Sequence, residues 1–433
     1  MIKVEEYAQR RRRLMTEAGE NTLILIGAAR PRLRNGDSFH AYRQDSDFLY
    51  LTGLEEPDAV LALVPGREAG EQLLFCRPSD PERERWDGPR LGLDGARAQL
   101  GMDDAFPIDD LDDILPSLMQ GVSRVYQPVG KDAEFDQRII GWRQRLRQLR
   151  RDEKGPGEMV SLEYLLHEQR LIKSRGEIRA MRRAARISAD AVLRAMRHCR
   201  PGMNESEIHA ELIHEYRRRG CPPAYLPIVA GGKNALVLHY VDNNQPLDDG
   251  DLLLIDAGCE VDGYAADISR TFPVNGTFSP AQREVYEIVL EAQRRAIDQV
   301  RSGHPFDAYH EAAVETLTEG LRELGLLEGP VSDLVEQGAH RRFYMHKTGH
   351  WLGLDVHDVG DYRIDDQSRV LEKNMVVTVE PGLYIGADED IPERFRNIGI
   401  RIEDDVRVTD DDPENLTASV PRRIEDIEEA MAR

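Results

Sequence analysis

Cysteine is scarce in this chain. The 433 residues include only four, Cys76, Cys199, Cys221 and Cys259, spaced far apart and without a CxxC pair. That spacing favours free thiols in a reducing compartment over a disulfide framework or a thiolate zinc knuckle. Positive charge is also short. Lys and Arg number 57 against 79 Asp and Glu, a net charge of −22, which argues against nucleic acid or an anionic membrane as partner. There is no basic stripe with interleaved aromatics, no low-complexity tract and no obvious internal repeat. Long apolar runs are missing, so no segment is expected to span a bilayer. The N-terminus MIKVEEYAQRRRRLM has no apolar stretch of the kind that leads a secreted chain, and the expectation is a cytoplasmic protein. Its arginine run, preceded by Glu5 and Glu6, reads as the solvated face of a first helix.

The length exceeds a usual single domain, so two are expected: residues 1–170 and 171–433. The first reads as α/β. A helix around Glu5–Glu17 precedes the short apolar runs Thr22–Ile26, Ala59–Val64 and Gln72–Phe75, which Gly and Pro separate as buried strands require. The polar, turn-rich Arg151–Met159 reads as leading into a short helical segment and a linker before Ile172. Beyond it, Ser174 with Glu177 and Asn204 with Glu207 read as capping boxes opening two helices, the first stopped by Pro201-Gly202 and the second by Gly220. Ser279, Pro280 and Gln282 open a third, read as closing at Gly303, and Asp307 to about Leu324 reads as a fourth. Strand runs cover Leu252–Asp256, Asp267–Phe272, Met375–Val379 and Ile398–Val408. The order helices, strands, helices, strands implies an α+β domain built by structural duplication, with helices on one face of a curved sheet.

Five residues of metal-ligand type stand out: Asp256 and Asp267 in LLIDAGCEVDGYAADISRTFP, His350 in HKTGHWLGLDVHD, Glu380 in VVTVEPGLY and Glu403 in IGIRIEDD. Taken singly, the aspartates read as turn caps, the histidine as a satisfied core residue and the glutamates as surface groups. Taken together, four carboxylates in or beside buried strands need roughly four compensating positive charges, because an isolated buried carboxylate costs several kcal/mol. Two divalent cations supply them and also make a hydrolytic centre. A set rich in oxygen with one imidazole suits manganese(II) first, then cobalt(II) or iron(II), with zinc(II) the remaining choice. Arg401 lies two residues before Glu403, on the same face of a strand, and carries the right charge to orient a ligand.

The motifs DAGCEVDGYAADISRTFPVNG, HWLGLDVHDVG, VEPGLY and GIRIEDD resemble those of the aminopeptidase P (Xaa-Pro aminopeptidase) branch of the pita-bread metallopeptidases. YRQDSDFLYLTG in the N-terminal half and ENLTAS near the end extend the likeness over the whole chain. The resemblance implies that Asp267 and Glu403 bridge two metals, that Asp256 completes one shell, and that His350 and Glu380 complete the other. A bridging hydroxide is then the nucleophile and Glu380 shuttles its proton. It also implies that His239 and His357 face the substrate from opposite sides, and that Arg401, Tyr225 and Tyr384 support the ligands or line the pocket. Trp86 and Arg90, in RWDGPRLG, resemble a loop that reaches a neighbouring subunit's site, so a homodimer or homotetramer is expected; the same residues also read as an ordinary exposed loop. Lys347 stands where the family often has Gly and reads as solvent-facing. The implied activity is removal of the first residue from peptides with proline second. Competing readings are a prolidase restricted to dipeptides, a methionine aminopeptidase, which usually lacks so large an N-terminal domain, and a metal-free pita-bread binding protein, which typically loses ligands.

Overall fold

The computed structural model describes residues 2–149 and 155–432, so residues 151–154 of the polar, turn-rich stretch lie outside the described residues. The chain divides into two compact units, Met1–Arg170 and Leu171–Arg433.

The N-terminal unit is built on a six-stranded mixed sheet in the order Asp104–Pro107, Gln72–Cys76, Val60–Leu63, Thr22–Gly27, Arg124–Gln127, Glu158–Ser161. Thr22–Gly27, Val60–Leu63 and Gln72–Cys76 pair antiparallel, and the outer pairings are parallel. Leu23, Leu25, Ala62, Leu73 and Phe75 pack with Leu111, Leu115, Ile139 and Trp142, while the alternate residues Ile24, Ile26 and Leu61 are also buried. Burial on both faces explains why these strands read as unbroken apolar runs.

The first helix spans Val4–Ala18, and its arginine run is not a solvated face. Arg10 and Arg11 sit one turn before the buried Leu14 and Met15 and share their face. Arg11 donates to Leu51 O at 2.8 Å, Leu100 O at 3.0 Å and Gln72 Oε1 at 2.6 Å. Arg10 donates to Tyr50 O at 3.0 Å and stacks over the Tyr50 ring. The guanidinium groups cap carbonyls of neighbouring helices, which a local charge pattern does not reveal. Only Arg12 and Arg13 are exposed.

The C-terminal unit opens with the helices Arg175–His198 and Glu205–Arg218, packed on each other and each starting in a complete capping box. The strands Ile228–Gly231, Leu252–Asp256 and Ser269–Pro273 follow as one antiparallel sheet. A second packed pair, Pro280–Ile297 and Asp307–Glu323, precedes Val376–Val379, Gly382–Ile385, Ile398–Arg401 and Asp404–Arg407. The succession helix, helix, antiparallel strands thus occurs twice. One shared core, including Ala185, Val192, Leu253, Ile255, Val289, Leu317, Leu383 and Ile400, runs through both halves.

Two boundaries differ from expectation. The third helix ends at Ile297 rather than near Gly303, because Gln299 and Val300 bond to carbonyls three residues back and turn the chain. The run Ile398–Val408 is two strands: Ile398–Arg401 pairs with Gly382–Ile385, and Asp404–Arg407 pairs with Val376–Val379. The chain changes partners at Ile402–Glu403.

Candidate metal centre

The strand pair that carries the first two acids is pinned in register, with Asp256 opposite Ser269. The intervening segment is itself a hairpin, Glu260–Val261 against Tyr264–Ala265, turning at Asp262 and Gly263, both with positive φ. Gly258 is required because a Cβ there would lie 1.7 Å from Ala266 O. The return brings both aspartates to the Tyr225 hydroxyl, at 2.7 Å from Asp256 Oδ1 and 2.5 Å from Asp267 Oδ1. Asp405, itself buried, accepts from the Asp267 backbone N–H.

His350 is held by its backbone N–H to Thr378 Oγ1 at 3.1 Å and by Nδ1 to Trp351 O at 2.9 Å. A carbonyl only accepts, so Nδ1 carries a proton and Nε2 is the nitrogen turned toward the acids, its lone pair available to a cation once the ring is neutral. Nε2 lies 3.6 Å from Asp267 Oδ2 and 3.7 Å from Glu380 Oε1. Glu380 is anchored through its backbone N–H to Thr348 O at 2.7 Å. Glu403, at the strand switch, accepts from Ser269 Oγ at 2.7 Å and is 1% exposed. Among the described residues, ligand atoms of Asp267, His350 and Glu403 all lie within 4.8 Å of one another. Asp256 and Glu380 flank this trio, Asp256 turned toward Arg401 and Tyr225.

The electrostatics are those of a site short of positive charge. Burial, then repulsion from Asp267, pushes Asp256 and Glu403 above the ordinary carboxylate range. Burial does the same to Glu380, against the pull of His350 and Arg401. Asp267 alone is held low; burial opposes this, but the His350 hydrogen bond and charge outweigh it. His350 is correspondingly raised to about 9, its burial overcome by Asp267 and Glu380. Asp256, Asp267, Glu380 and Glu403 thus crowd one imidazole and one guanidinium, with carboxylate oxygens and Nε2 already converging. That donor set fits divalent cations of the hard to borderline kind.

Arg401 is 4% exposed and makes three contacts: Nη2 to Asp256 Oδ2 at 2.7 Å, Nη1 to the Tyr384 hydroxyl at 3.0 Å and Nε to Ser269 Oγ at 2.9 Å. It meets Glu403 through Ser269. Tyr384 is buried, and its hydroxyl also contacts His346 Nε2 at 2.9 Å. His357 is exposed and packs edge-on to His350, ring centroids 4.3 Å apart. His239 is exposed, and its charge opposes protonation of both His346 and His357. Lys347 is exposed. Trp86 is in the N-terminal unit, on the helix Pro81–Asp87, and is 88% exposed. Sequence reasoning gave no role to Ser269, Thr378, Asp405 or His346. Ser269, Thr378 and Asp405 carried one signal, each standing two residues from a candidate ligand, Asp267, Glu380 and Glu403 respectively, whereas His346 carried none.

Residues 179–410 match the description "Metallopeptidase family M24", and residues 7–126 match "Aminopeptidase P, N-terminal domain". The chain belongs to metallopeptidase family M24. The expected fold therefore stands: a pita-bread unit preceded by a smaller α/β unit. Among family M24 relatives, the Xaa-Pro aminopeptidase of Haemophilus influenzae is 44% identical, over 99% of this chain and 97% of its own. Aminopeptidase PepP of Pseudomonas aeruginosa superposes with a TM-score of 0.98 at 52% identity, covering 99% of this chain and 98% of that one. Escherichia coli aminopeptidase P, solved with the inhibitor Pro-Leu, gives 0.96 at 45% identity, over 99% and 98%. The prolidase and metal-free readings are not favoured by these likenesses. No helix among the described residues is long and apolar enough to cross a membrane.

Proposed function

We propose that this family M24 enzyme is an Xaa-Pro aminopeptidase, hydrolysing the bond between the first residue of a peptide and a proline at the second position. The observation that carries the reading is the convergence of Asp267, His350 and Glu403 within 4.8 Å, flanked by Asp256 and Glu380. Asp267 and Glu403 are assigned as ligands shared by two divalent metals, manganese(II) first, with Asp256 completing one set and His350 and Glu380 the other. Held there, two such cations would supply Lewis acidity toward the scissile carbonyl and a lowered pKa for the attacking water.

The protein's own groups do the rest. Arg401 and Tyr225 hold the Asp256 carboxylate in place. Glu380, 17% exposed at the edge of the buried acids, is assigned to receive the water's proton at its carboxylate and pass it to the departing nitrogen. His357 is assigned to donate a hydrogen bond to charge developing on the scissile group, with His239 on the other side of the peptide. The leaving proline nitrogen has no N–H to offer in the substrate, so recognition by that donor is impossible and the first residue and the prolyl ring must be held instead. Trp86 is assigned to the substrate edge of a neighbouring subunit's site in a homodimer or homotetramer, and the cytoplasm is the proposed compartment.

The test compares an Xaa-Pro-Yaa tripeptide with an Xaa-Pro dipeptide, each with added manganese and with a chelator. Release of the first residue from the tripeptide, abolished by chelation, is expected. Cleavage of the dipeptide alone would mean a prolidase instead.

A further inference from the structure

Two thiols meet beside the ligand set. Cys221 lies four residues before Tyr225, and Cys259 three residues after Asp256. Pro223 and Cys259 face each other in an antiparallel bridge; Ala224 N–H donates to Gly258 O at 2.9 Å and Glu260 N–H to Pro222 O at 3.1 Å. Side chains alternate along such a ladder, so Cys221 shares a face with Pro223 and is the diagonal neighbour of Cys259. The Cys221 thiol donates to Arg219 O at 3.6 Å and the Cys259 thiol to Ala184 O at 3.5 Å, and the two sulfurs are near enough to couple electrostatically. Both are free, with Cys221 4% exposed and Cys259 fully buried. Ser188 also bonds Cys259, donating to its sulfur at 3.5 Å and accepting from its N–H at 3.0 Å.

We propose that Cys221 and Cys259 are a redox-active dithiol, reversibly oxidised by a small peroxide to a disulfide that disturbs the Asp256–Tyr225–Asp267 set. The Cys221 sulfur attacks one peroxide oxygen, the O–O bond breaks, and water leaves with the thiol proton, giving a sulfenic acid. The Cys259 sulfur then attacks that sulfur, the S–O bond breaks and a second water leaves. Hydrogen peroxide and two thiols thus become a disulfide and two waters, and an added dithiol reverses the change. Cys221 reacts first. It is the more accessible, and its coupling to Cys259, with Arg183 and Arg219 nearby, holds it below the ordinary thiol range despite burial.

The consequence follows from lengths. A disulfide draws the Cβ atoms to about 3.8 Å, whereas diagonal neighbours in a ladder stand farther apart. Closing the bond pulls the segment 221–224 toward 258–260. The second segment has no slack, since Gly258 already packs against Ala266 O. Tyr225, in the next position after Ala224, must then shift relative to Asp256 and Asp267, whose oxygens it contacts at 2.7 and 2.5 Å. Loss of such a ligand-orienting contact typically costs about 10–100-fold in metal affinity or activity.

The activity readout rests on the proposed peptidase function; the chemical and metal readouts do not. Full-length protein, reduced and freed of reductant, is treated with a few equivalents of hydrogen peroxide. Peptide mapping without reduction is expected to find Cys221 linked to Cys259. Manganese affinity and Xaa-Pro tripeptide cleavage are expected to fall by about 10–100-fold and to recover with dithiothreitol. A C76S/C199S variant is expected to respond like the unaltered protein, and Cys221→Ala to keep its activity after peroxide. Absence of the linked peptide, or a linked form with unchanged manganese affinity, would overturn the proposal. Reduced protein that never cleaves the tripeptide would count against the peptidase reading alone, with the linked peptide and the manganese titration still deciding the dithiol.

Discussion

Asp256 and Asp267 approach one atom, the Tyr225 hydroxyl oxygen, at 2.7 and 2.5 Å. A phenol has a single proton to donate, so it satisfies one carboxylate while the other still needs positive charge. Tyr225→Phe is expected to leave the fold intact and to weaken metal binding or activity by about 10–100-fold. Manganese titration and tripeptide kinetics on the variant check this; unchanged affinity and turnover would remove Tyr225 from the supporting set.

Arg401 is the cation that the protein itself supplies, joined to Asp256, Ser269 and Tyr384. Removing one partner of a buried pair typically costs about 3–5 kcal/mol, because the other charge is left uncompensated. Arg401→Met is expected to destabilise the C-terminal unit on that scale, and Arg401→Lys to rescue little, since an ammonium lacks the planar fork that reaches three partners. Combining Arg401→Met with Asp256→Asn should cost less than the sum of the two. Denaturation of all four proteins measures the coupling, and additive losses would show that the pair is not a unit.

A pH-dependent contribution is built into the N-terminal unit. Asp47 is 2% exposed and bonds Arg170 Nη1 at 2.6 Å and Lys131 Nζ at 3.1 Å, with His167 Nε2 at 3.7 Å. Burial alone would push its carboxyl up, but His167, Arg170 and Lys131 together bring it well below the ordinary range. A folded pKa below the unfolded value, about 3.9, means stability that is complete above that value and lost as pH falls through the folded one. Asp47→Asn is therefore expected to cost about 3–5 kcal/mol at neutral pH, with the deficit narrowing by about 1 kcal/mol by pH 3. Urea denaturation followed in the N-terminal unit between pH 7 and pH 3 tests it; a deficit that does not change with pH would contradict the assignment.

Much of this architecture is written locally. Capping boxes at Ser174, Asn204 and Ser279 open helices within one residue of where sequence places them, because both bonding partners sit within four residues. The runs from Thr22 and Leu252 are equally plain, being apolar on both faces. What sequence hides is non-local. Arg10 and Arg11 serve carbonyls at Tyr50, Leu51 and Leu100, and nothing near position 10 announces them. The break at Ile402–Glu403 depends on which strand each half finds as partner. Four acids and one imidazole were legible as ligand types, but Thr378 and Asp405 support His350 and Asp267, which lie on other segments, and look like ordinary strand residues.

The two histidines seven residues apart, His350 and His357, divide the site most sharply. They touch edge to face, yet only His350 is fixed by a backbone carbonyl with Nε2 turned to the acids. The decisive measurement is metal content together with kcat for His350→Ala and His357→Ala. His350→Ala is expected to lose bound metal. His357→Ala is expected to keep it and to lose about 10²–10³-fold in kcat, the usual cost of one donor to the transition state. Full metal occupancy in His350→Ala, or loss of metal from His357→Ala, would contradict the centre built on Asp267, His350 and Glu403.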